Sequence, residues 1–207
     1  MTEIRTDWDF YPCLIDDQPA TISLNLAYLA CAPLTNADTV CLIGYEILQP
    51  GDLGLGVEPD ATHLHRIEDT IVREAVGLGM HYLGRTRSGG RWQLAFQGTA
   101  GASTQLESLA RQAVEEPSRQ LWTEVRHDPE WGHYRERIYP SVERYQWILD
   151  RRVVEQLHSH GDVLTEPRPV DHHVDFPADA DLDGFLTEVG ARGFSLVEIA
   201  PMVDSDM

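Results

Sequence analysis

The sequence predicts an α+β fold: a ferredoxin-like βαββαβ sandwich with an N-terminal β-hairpin, followed by a small αβαβ unit. Three observations lead there. Early in the chain apolar and polar residues alternate, the period of half-buried strands. From Leu64 onward apolar residues recur at three- and four-residue steps, the stripe of an amphipathic helix. From Val40 the two periods follow one another as strand, helix, strand, strand, helix, strand, the order of a split βαβ unit.

Trp8–Ile15 is aromatic and β-branched, and Asp16-Asp17-Gln18-Pro19 supplies a turn. Beyond it Ala20, Ile22, Leu24, Leu26 and Tyr28 alternate with Thr21, Ser23 and Asn25, so residues 19–29 form the second strand of a hairpin. Residues 40–48 are almost continuously apolar and closed by Pro50-Gly51, as a strand buried on both faces requires. Leu64, Ile67, Ile71, Ala75 and Leu78 mark a helix with Asp60 as N-cap and Gly77 and Gly79 at its end. Residues 80–86 and 91–97 flank Ser88-Gly89-Gly90 as a second hairpin, with Trp92, Leu94 and Phe96 on one face. Thr104 and Glu107 have capping-box spacing, opening a helix through Leu106, Leu109, Ala110, Ala113 and Val114 that Pro117 stops. Residues 121–126 are the last strand of this block.

Asp128-Pro129-Glu130-Trp131-Gly132 reads as a boundary. It gives a domain of residues 1–127, a linker of 128–140 and a second unit of 141–207. In that unit a helix over 142–160 carries Val142, Tyr145, Ile148, Leu149, Val153 and Leu157 on one face and ends at Gly161. Residues 168–176 alternate again, with Val170, His172, Val174 and Phe176 on one side and Asp171, His173 and Asp175 on the other. A short helix through Leu182, Phe185, Leu186 and Val189 ends at Gly193, residues 194–200 form a final strand, and the tail from Asp204 frays.

Composition narrows function by exclusion. The 34 acidic side chains outnumber 16 basic ones, all of them Arg, and the net charge is −18. A phosphate backbone demands a net-positive face, so no direct nucleic-acid ligand is expected. No apolar run approaches the roughly 18 residues of a membrane span, and no signal-peptide pattern opens the chain, so the expectation is a soluble, cytoplasmic protein off the membrane. Cys13, Cys31 and Cys41 form no CxxC pair; they lie in or beside apolar strands, where thiols are buried and inert.

Nine histidines invite a metal reading. His63 and His65, two apart on a helix, point about 200° from one another and cannot hold one ion. His158 and His160 close a helix, where the dipole favours a cation. The densest cluster is Asp171, His172, His173 and Asp175, the candidate interaction or ligand site. On a strand His173 and Asp175 share a face about 7 Å apart. Two ligands fall short of the three or four a zinc ion takes, so neither metal nor cofactor is expected. No Gly-x-Ser-x-Gly elbow is present. The glycines of Gly51-Asp52-Leu53-Gly54-Leu55-Gly56 lack the Lys of a phosphate loop and enclose an acid, so this stretch is a loop. No set of residues makes an enzyme the expectation. The alternatives are a hydrolase or small-ligand-binding protein with a pocket between the two units, and a structural dimerisation module.

Several segments resemble known families. WDFYPCLIDDQPATISLNL, with Trp8, Tyr11 and Pro12 ahead of the turn, resembles the opening of the bacterial domain-of-unknown-function family 695. LGRTRSGGRWQLAF resembles that family's hairpin, and DPEWGHYRERIYP resembles its Asp-x-x-Trp-x-x-Tyr segment and following Tyr-Pro. The C-terminal third resembles the first half of the regulator of ribonuclease E activity B. The helix ending at Gly161-Asp162, the paired histidines of PVDHHVDF and the segment GARGFSLVEI carry that likeness. The second resemblance implies an acidic regulator without chemistry of its own that binds ribonuclease E, or another basic RNA-associated protein. A homodimer stays open.

Overall fold

The computed structural model describes residues 6–114, 118–165, 171–177 and 180–200. Pro117 and the tail from Asp204 lie outside them. The chain divides into two compact units, residues 1–162 and 163–207.

The first unit is built on two tight hairpins. In β1 (Trp8–Ile15) and β2 (Gln18–Asn25), Ile15 pairs with Gln18 across Asp16 and Asp17, both at positive φ. Two consecutive left-handed residues match the right-handed twist of the flanking strands, which is why a two-residue turn closes the hairpin here. Gly89 and Gly90 do the same between β4 (His81–Ser88) and β5 (Arg91–Gly98). The strand expected over 19–29 stops early. The Asn25 side chain accepts from the Ala27 amide at 3.2 Å and turns Leu26–Ala30 into a 3-10 helix, offering the backbone an alternative to the ladder.

With β3 (Thr39–Glu46) and β6 (Leu121–His127), the strands form one six-stranded antiparallel sheet in the order β1-β2-β4-β5-β3-β6. Helices α1 (Asp60–Gly77) and α2 (Ala100–Ala113) share one core on one face of this sheet. Leu64, Ile67, Ile71, Leu106 and Ala110 pack there with Cys41, Ile43, Tyr45, Trp92, Leu94 and Phe96. Since β3 is interior and covered on both faces, its near-continuous apolar run is explained.

Two expected caps are corrected. Asp60 is the first residue of α1 rather than its N-cap; its buried carboxylate accepts from the Leu48 and Gln49 amides at 2.8 and 3.1 Å and from Arg119 Nη2 at 2.6 Å. Burial pushes this carboxyl up, but the Arg119 bond, the two amides and the Arg119 charge outweigh it, and it stays below the usual carboxylate range. Helix α2 starts at Ala100, capped by Thr99, whose hydroxyl accepts from the Ala102 amide at 3.2 Å; Thr104 and Glu107 lie inside the helix. The glycine loop of residues 51–56 is tied to the second hairpin by the Gly90 amide donating to Gly54 O at 3.0 Å.

The opposite face of the sheet carries a second core, and the stretch expected as a linker is part of it. Trp131, Tyr134 and Ile138 are buried with Tyr11, Ile22, Leu24, Leu42 and Leu83. Three side-chain bonds to backbone carbonyls fasten this stretch. Trp131 Nε1–H donates to Ala37 O at 2.8 Å, Tyr134 Oη to Asn25 O at 2.8 Å, and Tyr11 Oη to Ile138 O at 2.8 Å. Proline, glycine and charge in residues 128–140 predict a connector. Their three large side chains instead cover the sheet face opposite α1 and α2.

Helix α3 (Val142–Ser159), grouped by sequence with residues 141–207, falls within the compact unit of residues 1–162. Ile148 is buried in the second core, while Arg151 and Arg152 both donate to the buried carboxylate of Asp9, and Arg152 reaches Asp7 at 2.8 Å. Of the expected apolar face, Tyr145 also packs against that core, while Val142, Leu149, Val153 and Leu157 are exposed. Periodicity identified the helix and its end at Gly161 (φ +88°), but not which stripe it buries.

In the second unit α4 (Leu182–Ala191) forms as expected, capped by Asp181 and released at Gly193. The two expected strands do not. Residues 171–177 and 194–200 are irregular, and residues 168–170 of the first lie outside the described residues. Alternation only says which way side chains would point. A strand also needs a neighbour to take its backbone hydrogen bonds, and these stretches have no such ladder among the described residues.

His133 gives the first unit a dependence on pH. Its Nδ1 accepts from Arg126 Nη2 at 2.9 Å, which requires the neutral ring. Burial, with the Arg126 charge beside it, pushes the imidazole down to about 4. In the unfolded chain it titrates near about 6.5, so between these values only the unfolded state binds the proton. Stability therefore falls as pH drops from about 6.5 to about 4. Burial lowers His65 and His81 as well, in the same direction. Urea midpoints measured at neutral pH and near about pH 4.5 should fall less in His133→Asn than in the parent; an equal fall would remove His133 from the explanation.

Candidate functional site

The four residues singled out by sequence lie in an irregular, solvent-facing segment. His173 Nε2 meets Asp175 Oδ1 at 3.3 Å, so the shared side expected of these two is present without a strand. With side chains 92% and 66% exposed, this pair sits in water, where an ion pair contributes little. His172 turns elsewhere, its ring edge-on to Phe194 at 5.3 Å, and Asp171 is exposed. Phe176 packs on Phe185 of α4 at 4.8 Å, which seats the segment on its own helix. Chemically this is an acidic surface with two imidazoles, suited to charge contacts. Among the described residues no three His, Cys, Asp or Glu side chains converge as metal ligands.

The first unit holds a tighter polar cluster that sequence reasoning missed. Glu68 of α1 points onto the sheet. Its Oε1 accepts from Tyr82 Oη at 2.7 Å, and its Oε2 from Arg85 Nη1 at 2.7 Å and Trp92 Nε1–H at 3.0 Å. The Glu68 and Arg85 side chains are 11% and 14% exposed, so this ion pair is poorly screened. Arg85 continues to Ser23 Oγ at 3.3 Å and His65 Nδ1 at 3.3 Å, and lies 4.7 Å from the centre of the Trp92 ring. Burial and the neighbouring Glu68 charge drive the Tyr82 hydroxyl far above its ordinary value, so it stays a hydrogen-bond donor. His65 stands edge-on to Trp92 at 4.9 Å, and burial followed by the Arg85 charge lowers its imidazole.

Strand alternation puts Arg85 and Arg87 on one face, and helical spacing puts His65 and Glu68 on one side. Both signals were in the sequence; what was not legible is that they face each other. The cysteines divide by position. Cys41 is buried, and burial raises its thiol to about 12; Cys13 is half-buried and raised for the same reason; Cys31 is exposed, against expectation, because the strand it was to flank ends at Asn25. At the end of α3, His160 Nδ1 lies 2.7 Å from Gln156 O, consistent with a ring held at the helix terminus. No helix among the described residues is long and apolar enough to cross a membrane.

Set against known families, residues 6–139 match the model of a family of unknown function, DUF695. The chain belongs to that family. The match covers both hairpins, α1, α2 and the buried stretch through Ile138, so the DUF695 portion ends after Trp131, Tyr134 and Ile138 rather than before them. A second model, described as regulator of ribonuclease activity B, matches residues 147–206, from inside α3 through α4. No curated protein and no solved structure matches the chain.

Proposed function

We propose that this DUF695 chain is a non-catalytic, cytoplasmic regulator that binds a basic RNA-processing protein such as ribonuclease E through its acidic C-terminal part. The observation that carries the reading is the match of residues 147–206 to the regulator of ribonuclease activity B. Charge supports it. Residues 163–207 hold ten acids and two Arg, a net −8, whereas residues 1–162 hold 24 acids and 14 Arg, a net −10 over more than three times the length. An acidic surface of this density competes with RNA for Arg-rich protein segments and speeds encounter with them. Exposed Asp171, His172, His173 and Asp175 belong to that surface. We also read the block from β3 to β6 as a ferredoxin-like sandwich, on the order β4-β5-β3-β6 with α1 and α2 on one face.

Titration of the full chain into purified ribonuclease E tests this reading. Binding at about 50 mM salt should weaken roughly tenfold or more by about 300 mM, because exposed charges are screened over that range. Replacing Asp171, Asp175 and Asp183 together by Asn should weaken it further. No binding at low salt, or binding indifferent to salt, overturns the proposal.

A further inference from the structure

Beside the Glu68 cluster the helix-bearing face of the sheet is not covered out to its edge. Beyond α1 the floor is made by Arg85 and Arg87 of β4 with their cross-strand neighbours Ser23 and Thr21 of β2, and the rim by Phe10, Pro12 and Leu14 of β1. Arg87 is the unusual member. It is half-buried, its guanidinium lies 5.4 Å from the Trp92 ring centre, and its Nε donates to Thr21 Oγ1 at 3.0 Å. No carboxylate among the described residues lies within ion-pairing distance of it, although the chain carries 34 acids to 16 Arg. The one carboxylate bonded within the cluster, Glu68, is engaged by Arg85, Tyr82 and Trp92. Glu68 is paired with Arg85, so the Arg87 charge is left without an ion-pair partner among the described residues, on a chain of net −18. The terminal nitrogens of Arg87 have no hydrogen-bond partner among the described residues, leaving a planar donor fork beside Thr21.

We propose that this trough binds a small amphipathic anion, a phosphate or carboxylate group attached to an apolar or aromatic body. The fork of Arg87 takes two oxygens of the anion side by side, as guanidinium and oxyanion geometry favours. Thr21 and Ser23 offer hydroxyls next to it, and Trp92 behind the guanidiniums keeps them in place. The apolar body lies along the rim, where Leu14 is 62% exposed and the Phe10 ring stands edge-on to Trp147 at 6.0 Å with the Arg151 guanidinium 4.5 Å from its centre. The site is in the DUF695 portion and does not depend on the regulator reading.

The test is a nuclear magnetic resonance titration of the full chain, following the Trp92 indole N–H and the His65 ring. The probes are phenyl phosphate, phenylacetate, inorganic phosphate and benzyl alcohol. Either or both of the first two should shift these signals, which tells a phosphate site from a carboxylate one. Inorganic phosphate and benzyl alcohol should bind at least roughly tenfold more weakly, each lacking one half of the ligand. Arg87→Gln should lose roughly tenfold or more in affinity, and Arg87→Lys, which keeps the charge but not the fork, should lose part of it. Equal binding by parent and both variants, or no shift with either aromatic anion, overturns the proposal.

Discussion

Replacing Trp131 by Ala is expected to destabilise the first unit by about 3–5 kcal/mol, the range for emptying a large buried aromatic site. Trp131 is fully buried, packs on Tyr28 at 5.5 Å and Tyr134 at 6.3 Å, and gives its indole N–H to Ala37 O. It also sits at φ +58°, a left-handed conformation that costs a bulky residue of order 1–3 kcal/mol. Packing must therefore hold the backbone as well as fill the space. Alanine keeps much of the strain and loses the packing, so its effect should exceed that of a conservative Trp131→Phe. Urea unfolding followed by tryptophan fluorescence and near-ultraviolet circular dichroism measures it. A loss under about 1 kcal/mol would mean that the segment is not part of the core. The same reasoning applies to truncation. A chain ended at residue 127 loses Trp131, Tyr134, Ile138 and Ile148, and should fail to fold, whereas one ended at residue 162 keeps both cores and should fold.

The second large effect is expected at Glu68. Glu68→Ala leaves the Arg85 guanidinium largely buried without its carboxylate, and the Tyr82 and Trp92 donors without their acceptor. Breaking a buried pair from one side costs about 3–5 kcal/mol. Glu68→Gln keeps an acceptor and loses the charge, so it should cost less. Replacing Glu68 and Arg85 together by Leu should cost less than Glu68→Ala alone, since the uncompensated charge is gone. Equal losses in all three variants would show that the cluster is held by packing and not by its charges. Circular dichroism melts of the three, beside the parent, make the comparison.

Where sequence reading succeeded, local chemistry was enough. The Asp16-Asp17 and Gly89-Gly90 turns set the two hairpins, the apolar run of β3 required cover on both faces, and Gly161 and Gly193 released α3 and α4. Each is a property of a few neighbouring residues. The misread caps show the limit of that logic. Asp60 and Thr104 are good capping residues, yet Asp60 is claimed by Arg119 from far along the chain, and Thr99 caps α2 first.

The candidate site was legible only in halves. Arg85 and Arg87 on a strand, and His65 and Glu68 on a helix, each form a pattern; their convergence on Trp92 depends on α1 crossing to that part of the sheet. The sequence by itself determined the order of strands and helices from Val40 to α3, the helix α4, the acidity and the two families the chain resembles. Only the tertiary structure decided that residues 128–140 and α3 fall within the first unit, and that the stretches around His172 and Phe194 have no strand to pair with among the described residues. The physical reason is common to both. Period and propensity act within a dozen residues, but burial, pairing and charge neutralisation are decided by whichever surface the fold brings opposite.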